Sequence, residues 1–197
     1  MVLIRKITVS KINIFEITLN LNRRFLKKIL LLSDTHGTID PNILKYAAAA
    51  DEVWHAGDIG TVAVADALMQ NSKLRAVYGN IDGHKLRSQF PEDQIFYCEG
   101  LKVFITHIGG YPGRYNARVK KIIETQKPDL YICGHSHILK VIRDKKNQLL
   151  HMNPGACGIQ GFHQVRTLLR FQIRHKEIEN LDVIELGKRG GIIESDR

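Results

Sequence analysis

The sequence predicts an α/β domain in which a mostly parallel sheet packs on a second sheet, with helices outside. Three observations lead there. In the first two thirds, strand-like apolar runs alternate with helical patterns; after Asp129 nearly every segment reads as a short strand. Several of the strand-like runs also end in Asp, Asn or His, mostly beside a glycine.

Taken in order, "KILLLS" is a core strand, and "PNILKYAAAA" a helix with Pro41 in its first turn. "EVWHAG" is a strand, "TVAVADALMQ" a helix and "LRAVYG" a strand. "QIFYCEGLKVFITH" reads as two strands around a turn at Glu99-Gly100. "YNARVKKIIETQ" is a helix ended by Pro128, and "DLYICG" a strand. "ILKVIRD", "QLLHMN", "VRTLLRFQI" and "IENLDVIEL" are short strands with turn signals such as "KKNQ" and "RHKE" between them. No internal repeat or low-complexity segment interrupts this pattern.

The 197 residues suffice for one domain with a sizeable core, and 44% hydrophobic with 25% charged residues is ordinary for a globular protein. No apolar run approaches the ~20 residues that span a bilayer. The three cysteines, Cys98, Cys133 and Cys157, form no C-x-x-C pair and are odd in number. A disulfide framework is not expected, and a cytoplasmic location fits best. The net charge of +9 is concentrated at the start: residues 1–28 hold seven of the 29 Lys/Arg and one of the 20 acids. The remainder is near balance, so no basic groove for nucleic acid is implied.

Residues 1–27 read as an N-terminal extension, and residues 28–197 as a single domain. "ITVSKINIFEITLNLN" alternates apolar and polar residues as a half-buried strand does, and lacks the compact apolar core of a secretory signal. An edge strand, an organellar leader and a start-site artefact all remain open. The "GLKVFITHIGG" segment offers an edge for a possible homodimer.

The chemistry lies at the strand ends. Asp34 and His36 follow "ILLLS", Asp58 follows "VWHAG", and Asn80 follows "AVYG". His107 follows "VFIT", and His135 and His137 follow "LYICG". In open α/β sheets, ligands bind outside the carboxyl ends of the strands, where residues distant in sequence converge. Four His, two Asp and one Asn, without a thiolate, suit two divalent ions among Mn, Fe, Co, Ni and Zn, and are too rich in histidine for Mg or Ca. A central carboxylate can bridge two such cations.

D-x-H, G-D, G-N, a lone strand-end histidine and G-H-S-H (Gly134 to His137), in that order, resemble the signature of the calcineurin-like metallophosphoesterase superfamily. "MNPGACG" (Met152 to Gly158) resembles the N-P-G-S element of its small YfcE-type phosphodiesterase branch. The resemblance covers roughly residues 28–186 and implies a metallo-dependent phosphatase-like four-layer αββα sandwich, with two mixed β-sheets flanked by helices. It also implies that Asp34, His36, Asp58 and His137 hold one metal, and Asp58, Asn80, His107 and His135 the other. Mn2+ is expected first, with Ni2+, Fe2+, Co2+ or Zn2+ as alternatives. The nucleophile would be a hydroxide shared by the two ions, acting on a small phosphodiester; nucleic acid would enter only as a substrate fragment.

Many members of the family carry a histidine straight after the G-N asparagine, assigned as proton donor to the leaving group. Ile81 stands there instead and cannot donate. His84 is either a substitute acid or a surface residue. Arg114, in the Gly-rich "IGGYPGRY" loop, is either a phosphate clamp or a surface charge. His163 is a further candidate for substrate contact, and His55 a packed or ligand-orienting histidine. Two other classes compete with an enzyme: a catalytically silent scaffold of the same fold, and nucleic-acid binding through the basic N-terminus. Intact ligand chemistry at all seven positions favours the enzyme.

Overall fold

The computed structural model describes residues 26–190. Its strands are β1 (Leu26–Leu32), β2 (Glu52–His55), β3 (Lys73–Ala76), β4 (Asp93–Cys98), β5 (Leu101–Thr106), β6 (Leu130–Ile132), β7 (Leu139–Asp144), β8 (Leu149–Pro154), β9 (Val165–Arg174) and β10 (Glu177–Lys188). The helices are α1 (Pro41–Ala48), α2 (Val62–Asn71), α3 (His84–Gln89) and α4 (Ala117–Gln126). Strand β1 already includes Leu26 and Lys27; the rest of the expected extension lies outside the described residues.

The strands form two five-stranded mixed sheets, in the orders β10-β9-β1-β2-β3 and β4-β5-β6-β8-β7. Strands β1, β2 and β3 run parallel, as do β5, β6 and β8. The late strands do not make a sheet of their own. Strand β9 returns to pair antiparallel with β1, and β10 pairs with β9. Strand β5 is flanked by β4 and β6, so the edge expected there for dimerisation does not exist; β4 and β7 are the edges of that sheet.

Strand alternation explains the layers. Ile29 and Leu31 point between the sheets, with Trp54, Val103, Ile105, Ile132 and Phe171. Leu30 and Leu32 point the other way, onto Ile43 and Ala47 of α1 and Val64 and Leu68 of α2. Val119 and Ile123 of α4 cover the far side of the second sheet on Phe104 and Tyr131. The result is helix, sheet, sheet, helix. Two of the main helices carry a side-chain cap, Asp40 accepting the Ile43 N–H (3.1 Å) and Asn116 the Val119 N–H (2.8 Å), whereas Thr61 before α2 makes none. The six-residue α3 was not expected; its cap is Gly83, without a capping side chain. Cys98, Cys133 and Cys157 are free and buried. No helix among the described residues is long and apolar enough to cross a membrane.

Candidate metal centre

Strands β1, β2, β3, β5 and β6 send their carboxyl ends to one rim of the sandwich. The parallel ladder outlasts the strands there: Asp34 N–H donates to Gly57 O (3.0 Å), His36 N–H to Asp58 O (3.0 Å) and Gly134 N–H to His107 O (3.0 Å). Glycine precedes Asp58 and Asn80 because there is no room for more. A Cβ on Gly57 would lie 2.6 Å from the His107 ring, and one on Gly79 would lie 2.0 Å from Asp58 Oδ1.

Seven side chains meet at this rim. Asp34, His36 and His137 form one group, and Asp58, His107 and His135 a second; within each, the ligating atoms all lie within 4.8 Å of one another. Asp58 stands between them, its Oδ2 3.8 Å from His36 Nε2 and 3.3 Å from His107 Nε2. Asn80 Oδ1 joins the second group, 3.1 Å from His107 Nε2. Five of the seven, Asp34, His36, Asp58, His135 and His137, have positive φ between 48° and 67°. Left-handed backbone costs a non-glycine residue of order 1–3 kcal/mol and clusters where function holds it in place.

The electrostatics suit a cation. His107 Nδ1 lies 2.8 Å from Ala56 O, which only accepts, so Nδ1 carries a proton and Nε2 is the nitrogen that faces the centre. Asp34 Oδ1 is buried without a hydrogen-bond partner, 3.2 Å from His137 Nε2, which is itself 3.2 Å from His36 Nε2. Burial opposes charge on Asp58, but hydrogen bonding and charge from His107 outweigh it, and the carboxyl is held below its usual range. His107 is shifted upward: burial opposes its charge and is outweighed by Asp58 and Asp34. His135 is shifted downward by burial and by His107. Nitrogen and carboxylate donors converging in two groups around a shared carboxylate fit two divalent cations.

The other expected site residues divide. His163 sits beside His137, their Nδ1 atoms 3.3 Å apart. His84 and Arg114 are exposed, and neither lines the cavities beside the centre. Arg87 and Arg118 stand there instead. They line a cavity of about 350 Å³ with Tyr78, Asn80 and His107, brought in by α3 and α4 from positions with no local signature.

Two supports escaped the sequence reading or were only partly seen. Asp82 is buried, and its carboxylate accepts the backbone N–H groups of Ile59 (3.1 Å), Gly60 (2.7 Å) and Gly79 (2.8 Å). It ties the Asp58 loop to the Asn80 loop; the acid two residues after Asn80 in "GNID" was the available signal. His55, fully buried, accepts the Gly57 N–H at Nδ1 (3.1 Å), so its Nε2–H donates to Thr35 Oγ1 (2.9 Å), and Thr35 in turn donates to Ile59 O (2.9 Å).

That relay needs a neutral ring, and burial pushes His55 down to about 4. Burial, aided by Lys140, does the same to His151, which stacks on Tyr131 at 5.1 Å. In the unfolded chain both bind protons below about pH 6.5, so folding stability is full above that pH and falls as pH drops toward 4. His107, shifted the other way, loses its contribution only above 6.5 and does not mask the effect. Metal-free protein is expected to lose roughly 1–3 kcal/mol of unfolding free energy per pH unit between 6.5 and 5. Urea titrations at pH 7, 6 and 5 check this; a flat profile would refute it.

A family model described as the calcineurin-like phosphoesterase superfamily domain matches residues 28–176. Among solved structures, a Streptococcus pneumoniae protein described as a predicted phosphoesterase is 21% identical, with a TM-score of 0.62, 81% of this chain covered and 90% of that one. A Thermotoga maritima protein is 23% identical at a TM-score of 0.64, covering 81% and 99%. Entamoeba histolytica Vps29, solved with zinc, is 16% identical at 0.62, covering 83% and 99%. No curated protein matches the sequence. The family match spans both sheets and every strand that delivers a side chain to the rim, and on that ground the chain belongs to the calcineurin-like phosphoesterase superfamily.

Proposed function

We propose that the protein is a dinuclear metal-dependent phosphodiesterase. One observation carries the reading: two groups of ligating atoms, Asp34–His36–His137 and Asp58–His107–His135, share Asp58 between them. In this reading Asp34, His36, Asp58 and His137 hold the first ion, and Asp58, Asn80, His107 and His135 the second, with Mn2+ as the preferred metal. Bound there, the ions supply Lewis acidity for the phosphate oxygens and activate water for attack at phosphorus. The protein's own groups orient the reaction. Asn80 turns its amide oxygen to the centre, which leaves its NH2 free to donate to a phosphate oxygen. Arg87 brings a guanidinium to the adjoining cavity that could meet the rest of the diester, beside Arg118, which is paired with Asp93 and Glu92.

Ile81 decides the leaving group. Its N–H donates to Asp58 Oδ1 (3.0 Å), while its side chain is half exposed and donates nothing. His84 does not line the cavity, so it is not placed to replace the missing acid there. A positioned acid is worth ~10²–10⁴ in rate when the leaving group is poor. Diesters with acidic leaving groups need it least. Metal-free protein reloaded with Mn2+ is therefore expected to hydrolyse bis(p-nitrophenyl) phosphate at least ~10-fold faster than an alkyl phosphomonoester such as glycerol 2-phosphate, and Ile81→His to narrow that gap. Faster cleavage of the monoester would refute the diester assignment.

The competing scaffold reading draws on the fold shared with Vps29 and on apolar side chains left exposed, Tyr97 and Phe162 among them. Ion binding without hydrolysis of either ester, with Mn2+, Co2+, Ni2+ or Zn2+, would favour it.

A further inference from the structure

His163 has neither ring nitrogen free for a substrate. Its Nε2 lies 3.1 Å from Gly158 O, and its Nδ1 lies 3.3 Å from His137 Nδ1, with the two rings edge to face at 5.2 Å. A carbonyl only accepts, so in the neutral ring Nε2 bears the proton and Nδ1 a lone pair. His137 must then donate from its own Nδ1. That leaves His137 Nε2 unprotonated, 3.2 Å from Asp34 Oδ1, a buried acceptor that lacks any hydrogen bond. The order of donors ends at the centre with two lone pairs and no proton between them.

The loop that brings His163 in is anchored to both ligand-bearing segments. Cys157 N–H donates to Ser33 O (3.1 Å) and Gly158 N–H to Asp34 O (3.1 Å). Asn153 donates to Gly134 O (2.9 Å) and Ser136 Oγ (3.1 Å), on the turn that carries His135 and His137. Gly161, at φ +120°, passes so close that a Cβ would sit 2.1 Å from His137 Nδ1.

We propose that residues 153–163 form a brace for the first metal site and that His163 is its positioning residue, locking His137 in the tautomer and orientation that present Nε2 to an ion. The proposal rests on the metal-binding reading above. It gives the "MNPGACG" element a role in building the site, not in touching the substrate.

The test uses the full chain, stripped of metal, with Mn2+ titrated calorimetrically and the imidazole ¹⁵N shifts of His137 recorded before any ion is added. Two Mn2+ per wild-type chain are expected, and His137 is expected as the Nδ1–H tautomer. His163→Ala should weaken one of the two sites ~10–100-fold, the usual effect of losing a partner that orients a ligating histidine, and leave the other within about two-fold. The NMR signature of His137 should shift toward a tautomer mixture. His163→Gln, whose amide oxygen can accept from Nδ1–H, should restore most of the affinity. A folded His163→Ala protein that binds both ions as wild type, or a metal-free wild type with His137 protonated at Nε2, would overturn the proposal. Wild-type protein that binds no ion would instead overturn the metal reading, with the tautomer measurement still deciding the brace. If His163→Ala fails to fold, His163→Gln against wild type carries the comparison, and a glutamine protein weakened as far as tenfold at that site would count against the role.

Discussion

Asp58→Asn is expected to lower Mn2+-dependent turnover by about 10³-fold or more, a loss of at least about 4 kcal/mol of transition-state stabilisation, while leaving the melting temperature of the metal-free protein within a few degrees. The two oxygens of Asp58 have separate duties. Oδ1 accepts the Ile81 N–H at 3.0 Å, and Oδ2 faces the histidines of both groups. An asparagine has one acceptor oxygen. If that oxygen keeps the Ile81 bond, an NH2 group without a lone pair faces the centre. If it turns to the centre, the NH2 group opposes the Ile81 N–H. Either way a negative charge is gone from the position between the two groups. Kinetics, calorimetric Mn2+ stoichiometry and thermal unfolding of the same preparation check this together. Near-normal turnover would remove Asp58 from the bridging position.

The second large effect is on stability. Asp82→Asn is isosteric, yet it is expected to cost about 2–3 kcal/mol and to lower the melting temperature by roughly 5–10 °C. The carboxylate accepts three backbone N–H groups, two on Oδ2 and one on Oδ1. In its better orientation the amide keeps the Ile59 and Gly79 bonds and points its NH2 at the Gly60 N–H. In the other orientation it loses two. Because the clamp joins the loops that carry Asp58 and Asn80, activity should fall with stability, and Asp82→Ala should be worse on both counts. An unchanged melting temperature for Asp82→Asn would mean that the clamp carries no load.

Much of this was legible in the sequence because one signal recurs: an apolar run, then a glycine or small residue, then a polar side chain. That signal picked out all seven side chains that the two sheets bring together. What it missed is non-local. The return of β9 to the side of β1 depends on pairing across more than a hundred residues, which no local period encodes. Helix α3 is six residues long and opens on a glycine, too short to show a period. Arg114 drew attention through its Gly-rich loop, but α3 and α4 swing Arg87 and Arg118 to the cavity from ordinary-looking stretches. His163 reads from the sequence as a residue near the site, while its contact with His137 exists only once the loop after β8 folds back.

The left-handed backbone at Asp34, His36, Asp58, His135 and His137 sets a conflict for anyone who would improve this protein. Glycine at any of these positions relieves a steric penalty, while deleting a group that the proposed chemistry requires. Heat resistance and the proposed catalysis therefore pull in opposite directions at the same five codons. A library screened for thermal survival alone will drift toward robust, inert descendants, as a screen that rewards rigidity and ignores turnover must. Directed evolution of this scaffold needs those five codons held constant and the search for robustness confined to the helices and outer faces of the sandwich.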